Sequence, residues 1–261
     1  MNFRAVKASF KHQGIQFLAD PQWIIPNLVS PFIFTMVMLY IYNDVTGPIV
    51  LQAVLGGGVL GMWANTLFAS SFTIAFERTN GTFELLISSP AGIFDVLIGR
   101  SIWNAFIGLV NALVIFLLAE LIFQTNMNLP NPLAFFAMLA LTLFSLSSIG
   151  MLISTAFVLS RRGRLFSTIA EYPIYVLSGA LVPITLLPQF FQSLSFILAP
   201  AWGVDALKQI ALEDYPSMMG TSVLVDILML IVLSIIFLLS AFYLMRVAER
   251  RILKSGTATR Y

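Results

Sequence analysis

Long apolar runs separated by short polar stretches fill the chain from residue 23 to residue 245. A helix needs about 20 apolar residues to cross a hydrocarbon layer about 30 Å thick, and every run is at least that long. The runs cover residues 23–42, 49–75, 101–123, 133–159, 165–185 and 222–245. The pattern predicts an all-α polytopic membrane protein. Residues 21–261 would form one six-span transmembrane domain with both termini on the same side.

Residues 1–20 have a different pattern, which predicts an amphipathic helix at the membrane interface. At about 100° per residue, apolar and basic residues occupy two neighbouring arcs. The arcs hold Phe3, Val6, Phe10 and Phe17 on one side and Arg4, Lys7 and Lys11 on the other. The spread of the basic residues excludes a secretory signal peptide, which keeps its charges ahead of an apolar core. A cytosolic leader with accidental periodicity is the alternative.

The basic residues lie almost entirely on one side of the six predicted spans. They precede span one, flank the connection after span two, and follow spans four and six. They are Arg4, Lys7, Lys11, Arg78, Arg100, Arg161, Arg162, Arg164, Arg246, Arg250, Arg251, Lys254 and Arg260, and only Lys208 lies elsewhere. Positively charged connections stay in the cytoplasm. Both termini, the connection after span two and the basic tail, residues 246–261, are therefore predicted to be cytoplasmic in a multi-pass inner-membrane protein.

The connection after span two, residues 77–90, carries the signals of a short helix over residues 81–90. The signals are Gly81 for a tight turn, Thr82 as N-cap, Glu84 in the first turn, where the helix dipole favours an anion, and Pro90 as the stop. One face would present Phe83, Leu86 and Ile87. Such a helix is expected to lie flat at a surface with a partner docked on it. An ordinary capped loop is the alternative.

Residues 186–212 are apolar but are divided by Pro188 and Pro200 into pieces too short to cross a membrane. A pair of re-entrant half-helices on the outer side fits this pattern best, with Trp202 at the interface. The competing prediction is a seventh span. It would place the basic tail outside, against the charge distribution.

Composition agrees with a membrane protein, because 59% of the residues are hydrophobic and the mean hydropathy is +0.92. The absence of cysteine excludes disulfides and thiolate metal sites. The single histidine, His12, leaves no histidine cluster or catalytic triad. There is no phosphate-binding glycine-rich loop either, so the chain is not expected to be an enzyme or to hydrolyse ATP by itself.

Ionisable residues inside apolar runs are functional candidates, because burying a charge in lipid is costly. Glu120 and Asp226 lie near the outer ends of spans three and six, where water can solvate them. Glu171 lies deeper in span five and either pairs with nearby arginines or takes part in transport. Gly57 and Gly61 have the spacing of closely packed helices and serve either dimer packing or packing within the chain.

Two stretches resemble the membrane subunits of type-2 ABC exporters, the class that exports drugs, lipids and polysaccharides. The first resembles the family's cytoplasmic coupling helix and comprises Glu77, Arg78, Gly81, Thr82, Glu84, Leu86 and Pro90. The second resembles the outer re-entrant segment after span five and comprises Ser178, Gly179, Pro183, Leu187, Pro188, Pro200, Asp205, Ala206, Leu207 and Lys208. The family often has arginine at the position of Lys208, so the charge is kept. The order of elements is similar over essentially the whole chain.

The resemblance implies a half-transporter. Two membrane subunits, most simply two copies of this chain, would pair, and each would dock on a separate ATPase subunit that binds ATP and Mg²⁺. The coupling helix would make that contact, with Phe83 among its residues and Glu84 as a polar contact. The N-terminal segment, with Arg4, Lys7 and Lys11, would be the connecting helix, which lies along the membrane and also touches the ATPase. Asn65 and Glu171 would line the substrate path.

A path walled by apolar residues suits an amphiphilic substrate such as a drug, a lipid or a lipid-linked glycan. The alternative function is a stand-alone ion-coupled transporter or channel. It would need buried acidic residues near the midplane and usually an inverted repeat, whereas the sequence has one semi-buried glutamate and no evident repeat. A structural membrane subunit that moves nothing is a third possibility.

Overall fold

A computed structural model describes residues 2–19, 21–42, 48–63, 65–66, 77, 81–82, 85–86, 92–123, 129–158, 173–212 and 215–255. These residues form helices and turns, with no β-strand among them, so the all-α prediction is confirmed for the described part of the chain. The helices are α1 (Phe3–Ala19), α2 (Pro21–Tyr42), α3 (Pro48–Trp63), α4 (Ile93–Phe123), α5 (Pro132–Val158), α6 (Gln189–Ser195), α7 (Ala199–Ala211) and α8 (Val223–Ser255).

Three of these helices are long and apolar enough to cross a membrane by themselves. They run over Ile93–Ile122, Pro132–Thr155 and Val223–Arg251, and they confirm the predicted runs 101–123, 133–159 and 222–245 as helices. Helices α2 and α3 occupy the first two predicted runs, although α3 is described only as far as Trp63. The first eight residues of the fifth run, 165–172, lie outside the described residues, and residues 173–177 of the remainder are helical. The count of six spans therefore stays a prediction.

Helix α4 begins at Ile93, eight residues before the predicted start of span three at residue 101. Its first turn contains Asp95, which complements the helix dipole, and the Glu249 carboxylate accepts a hydrogen bond of 2.9 Å from the backbone N–H of Ile93. A hydropathy run marks only the part of a helix that lipid surrounds. The additional two turns became visible only through their contacts with α1 and α8.

The largest core cluster joins α3, α5, α7 and α8 around Trp63, Phe135, Leu146, Trp202 and Leu230. Helix α3 also approaches α2 and α4 closely, since a Cβ at Gly57 would overlap Thr35 Oγ1 of α2, and one at Gly61 would lie 3.1 Å from Asn111 Cβ of α4. Of the two roles left open for these glycines, the structure shows packing within the chain.

Helices α6 and α7 form a pair bent by 92°. Pro188 precedes the first turn of α6, and Pro200 lies in the first turn of α7, where a missing N–H costs nothing. The division of residues 186–212 into two short helices is therefore confirmed. Helix α7 is almost entirely buried, whereas α6 is mostly exposed. Whether the pair is a re-entrant loop or a broken span depends on the membrane position, so the re-entrant geometry remains a prediction.

Candidate functional site

The predicted coupling segment belongs to one end of the helix bundle, which we call the basic end. It comprises α1, residues 77–86, the first turns of α4 (residues 93–103) and residues 241–251 of α8. In this segment Gly81 has a φ of +69°, and the backbone N–H of Thr82 donates to the carbonyl of Glu77. The N–H of Leu86 donates to the carbonyl of Thr82, which is the first bond of a helical turn. The N-cap role of the Thr82 side chain stays a prediction, because the hydrogen bonds that its hydroxyl donates go back to Glu77.

A buried ion pair fixes the start of this segment. Glu77 Oε1 lies 2.5 Å from an Arg100 Nη, and neither side chain is more than 10% exposed. The Thr82 hydroxyl also donates to the Glu77 carboxylate. The sequence placed Glu77 among the residues that meet a partner. The structure turns its side chain inward, where it pairs with Arg100 of α4, 23 residues along the chain.

The surroundings of Glu77 keep it ionised. Burial raises the pKa of its carboxyl, but hydrogen bonds from Thr82 and Arg100 and the positive charges of Arg100 and His12 outweigh burial. The pKa therefore lies below its ordinary value. A buried ion pair of this kind adds little net stability, because burying both charges is costly. Its main effect is to favour one arrangement of the coupling segment against α4.

Leu86 connects the same segment to two long helices. Its side chain packs against a small core cluster that includes Ile93 and Leu97 of α4 and Met245 and Ala248 of α8. On the other side of the turn, Gly81 and Thr82 are exposed, and so is Leu85, at 70%. The segment therefore has an anchored side and an open side.

Helix α1 packs along the first turns of α4. The Ser9 hydroxyl donates to the carbonyl of Val96 at 2.7 Å, and the rings of Phe10 and Trp103 meet edge to face at 5.2 Å. The helices approach so closely that a Cβ on Gly99 would lie 2.3 Å from the carbonyl oxygen of Val6. Of the predicted apolar arc, Val6 is buried beside α4 and Phe10 contacts Trp103, whereas the position of α1 at the membrane interface stays a prediction. The periodicity of an apolar arc does not tell protein from lipid.

The three predicted connecting-helix cations, Arg4, Lys7 and Lys11, are exposed on the outer face of α1. At the other flank of the basic end, Arg246 of α8 lies over the ring of Phe242 at 4.6 Å. The remaining coupling-segment candidates, Arg78, Phe83, Glu84 and Pro90, lie outside the described residues. The length of the coupling helix therefore stays a prediction.

The second predicted motif comes together at the other end of α8. Asp205 of α7 accepts hydrogen bonds from the Ser217 hydroxyl and from the backbone N–H groups of Met218 and Met219. Lys208, one turn later, is 1% exposed, and its ammonium donates to the carbonyl of Gly179 at 2.8 Å. Lys208 departs from the charge pattern because it is a buried structural residue rather than a marker of topology.

The prolines of the motif shape the chain around this contact. Pro183 precedes a short 3₁₀ turn, Ile184–Leu186, and Pro188 and Pro200 start α6 and α7. Gly179 has a φ of +75°, the left-handed conformation that glycine adopts most easily, so it can turn its carbonyl towards α7.

Three further polar residues of this region were missed by the sequence reasoning or interpreted differently. Gln52 of α3 donates to the carbonyl of Ala180 at 2.8 Å, and Gln209 donates to the Asp226 carboxylate at 2.6 Å. Asp226 is fully buried and also accepts a bond from Thr221, so solvation by water at the membrane edge is the wrong interpretation. No short motif links the two glutamines to their partners, which are 128 residues away for Gln52 and 17 for Gln209.

The two residues predicted to line the substrate path are Asn65 and Glu171, and only Asn65 is among the described residues. Asn65 is 2% exposed, and its amide donates to the carbonyl of Gly61, four residues earlier, at 2.9 Å. It is therefore a buried residue just beyond the described end of α3. Glu171 lies outside the described residues.

Comparison with known proteins agrees with this architecture. Residues 4–212 match the family model of the ABC-2 type transporter. The chain is 26% identical over 148 residues to the probable multidrug ABC transporter permease YbhR of Escherichia coli K12, and 26% identical over 141 residues to nodulation protein J of Sinorhizobium fredii. These matches cover 57% and 54% of this chain, but only 40% and 53% of the two relatives. Since the family model covers most of the sequence, the chain belongs to the ABC-2 type transporter family.

Proposed function

We propose that this chain is the transmembrane subunit of an ATP-driven exporter in the cytoplasmic membrane. It pairs with a second membrane subunit, most simply another copy, and with separate ATPase subunits that bind ATP and Mg²⁺. The membership of the ABC-2 family and the transport apparatus that this implies support the proposal. The charge distribution supports an orientation with the basic end in the cytoplasm, where the ATPase is.

The single observation that carries the proposal is the two-sided construction of the coupling segment. Its exposed side includes Gly81 and Leu85, whereas Glu77 and Leu86 tie it to α4 and α8. A docked ATPase that moves would displace the exposed side. Because the anchored side is held by a buried ion pair and a core contact, the displacement is passed to two membrane-spanning helices instead of being lost in a loop.

The substrate that we propose is amphiphilic: a drug, a lipid or a lipid-linked glycan. The name of the Escherichia coli relative, a probable multidrug permease, supports this class. The alternative of an ion-coupled transporter gains no support from Glu77, Asp205 or Asp226, because each of these carboxylates already accepts hydrogen bonds from within the chain.

The test is co-purification of the tagged chain, mildly solubilised from its host, with a P-loop ATPase. Leu85 and Leu186 provide a matched pair, because both are exposed leucines, at 70% and 73%, at opposite ends of the bundle. We expect Leu85→Ser to lose most of the ATPase and Leu186→Ser to retain it. The proposal would be overturned if no ATPase accompanied the unaltered chain, or if reconstituted vesicles transported substrate with an ion gradient alone.

A further inference from the structure

At the basic end, the described acidic residues are hydrogen-bonded within the chain, whereas most of the described basic residues are exposed. The described acidic residues there, Glu77, Asp95 and Glu249, accept hydrogen bonds from Arg100, from the N–H of Asn2 and from the N–H of Ile93. Apart from Arg100, which is buried against Glu77, the described basic residues of this end remain at the surface. We call the exposed ones the cationic collar: Arg4, Lys7 and Lys11 on α1, and Arg246, Arg250 and Arg251 on α8. In the described part of this end, the fully exposed formal charges are therefore positive, while Asp95 and Glu249 are half-buried.

The collar lies at the level of the membrane boundary. Asp226 and Arg246 are twenty residues apart in α8 with no charged residue between them, a helical length of about 30 Å that equals the hydrocarbon thickness. Arg246 lies over the ring of Phe242, and that ring contacts Phe94 of α4 at 5.0 Å. The first turn of α4 is therefore at the same depth as Arg246.

Helix α1 continues from this level along α4. Its start is fixed by the bond from the N–H of Asn2 to Asp95, and its later residues reach Trp103. Beyond Phe3, which is 78% exposed, the exposed face of α1 changes in the same direction, since the three cations are followed by Ile15 and Leu18, which are 60% and 66% exposed. Such a succession matches lipid headgroups followed by acyl chains, whereas a protein surface in water would leave the two apolar side chains uncovered.

We propose that the cationic collar binds the phosphate groups of anionic phospholipids, with Ile15 and Leu18 in the adjacent acyl region. Cations near an anionic leaflet are each attracted by an amount that corresponds to about fivefold in affinity. The proposal goes beyond the proposed function and does not require the ATPase. It relies on the proposed orientation only for the choice of leaflet.

The experiment measures which lipids remain with the purified full chain after it is equilibrated in micelles that contain equal amounts of phosphatidylcholine and phosphatidylglycerol. We expect the unaltered chain to retain phosphatidylglycerol preferentially. The triple variant R4Q/K7Q/K11Q should reduce this preference by about tenfold or more. The matched variant R4K/K7R/K11R, which keeps every charge, should retain it. A second neutral triple, R246Q/R250Q/R251Q, tests the α8 side of the collar in the same way.

Three results would overturn the proposal. The first is no preference for phosphatidylglycerol in the unaltered chain. The second is an unchanged preference in both neutral variants, or its loss in the charge-conserving variant as well. The third is a neutral α1 variant that keeps its lipid preference but loses the ATPase, which would assign these cations to a protein partner. Lipid binding is measured on the chain alone, without the ATPase. A failure of the lipid proposal is therefore distinguishable from a failure of the proposed exporter function.

Discussion

The two ends of α8 differ in whether their charged side chains are exposed or buried. At the basic end, one ion pair is buried between Glu77 and Arg100, and the exposed face is lined with cations. At the other end, Asp205, Lys208 and Asp226 are all buried, and each is hydrogen-bonded to a different part of the chain. The difference indicates a division of tasks. In the proposed function the basic end meets other molecules, whereas the buried charges of the other end hold segments of the chain together.

The strongest test of this comparison removes the Asp205 carboxylate, at the end of α8 opposite the basic end. Asp205→Ala leaves two buried backbone N–H groups and the Lys208 ammonium without their partner charge. We expect a loss of about 3–5 kcal/mol in the free energy of unfolding, measured as a lower melting temperature of the purified protein. Ser193→Ala, on the exposed side of α6, is the control and should change little. An unchanged melting temperature for Asp205→Ala would show that the buried hydrogen bonds of Asp205 do not stabilise this end of α8.

At the basic end, Glu77→Gln should cost somewhat less, about 3 kcal/mol, because the buried Arg100 loses its counter-charge but keeps a polar neighbour. The double variant E77R/R100E restores opposite charges and should recover part of the loss. Melting temperature gives the first readout, and substrate-stimulated ATPase activity of the assembled complex gives the second. If both variants coupled ATP hydrolysis to transport normally, Glu77 would be structural only.

The same pair predicts a pH dependence with a definite sign. The folded-state pKa of Glu77 is lowered from its ordinary value of 4.5, so its contribution to stability is fully present above that value. As the pH falls through the lowered pKa, the contribution disappears. The stability difference between the unaltered chain and Glu77→Gln should therefore be constant near neutral pH and shrink on acidification. A difference that grew in acid would contradict the lowered pKa.

The contact between α1 and α4 offers a matched pair of glycines. Gly99→Ala places a Cβ 2.3 Å from the carbonyl oxygen of Val6, whereas the nearest atom to a Cβ on Gly92 is 3.9 Å away. We expect Gly99→Ala to cost about 2 kcal/mol by overpacking and to loosen α1. Trypsin should then cleave faster at Lys7 and Lys11, while Gly92→Ala behaves like the unaltered chain. Equal cleavage rates for both would show that α1 tolerates a displaced contact.

The sequence was sufficient for features that depend on solvent or on local backbone chemistry. Helices α4, α5 and α8 follow from apolar runs, because only a helix satisfies its own backbone in lipid. The division of residues 186–212 follows from Pro188 and Pro200, which cannot continue a preceding helix. The motif residues Gly179, Asp205 and Lys208 were also identified, through resemblance rather than through spacing.

Partners that are distant in the chain could not be predicted. Arg100 was counted as a topology signal, although it neutralises Glu77, and Asp226 was assigned to solvent, although it is bonded to Gln209. Each pair depends on how helices are placed side by side, and many placements satisfy the same apolar pattern. The face of α1 was uncertain for the same reason, since Val6 and Phe10 lose contact with water equally well against lipid or against α4.

The smallest expected effect separates the roles of two charges that lie one turn apart in α7. Lys208→Met removes the bond to the Gly179 carbonyl, but that carbonyl still has Gln52 Nε2 at 3.3 Å, and Asp205 keeps its three hydrogen bonds. An apolar side chain of similar length also avoids the cost of burying an ammonium, so we expect a change of only about 1 kcal/mol. A melting temperature as low as that of Asp205→Ala would mean that the attraction between Asp205 and Lys208, rather than the bonds to residues 217–219, holds this end together.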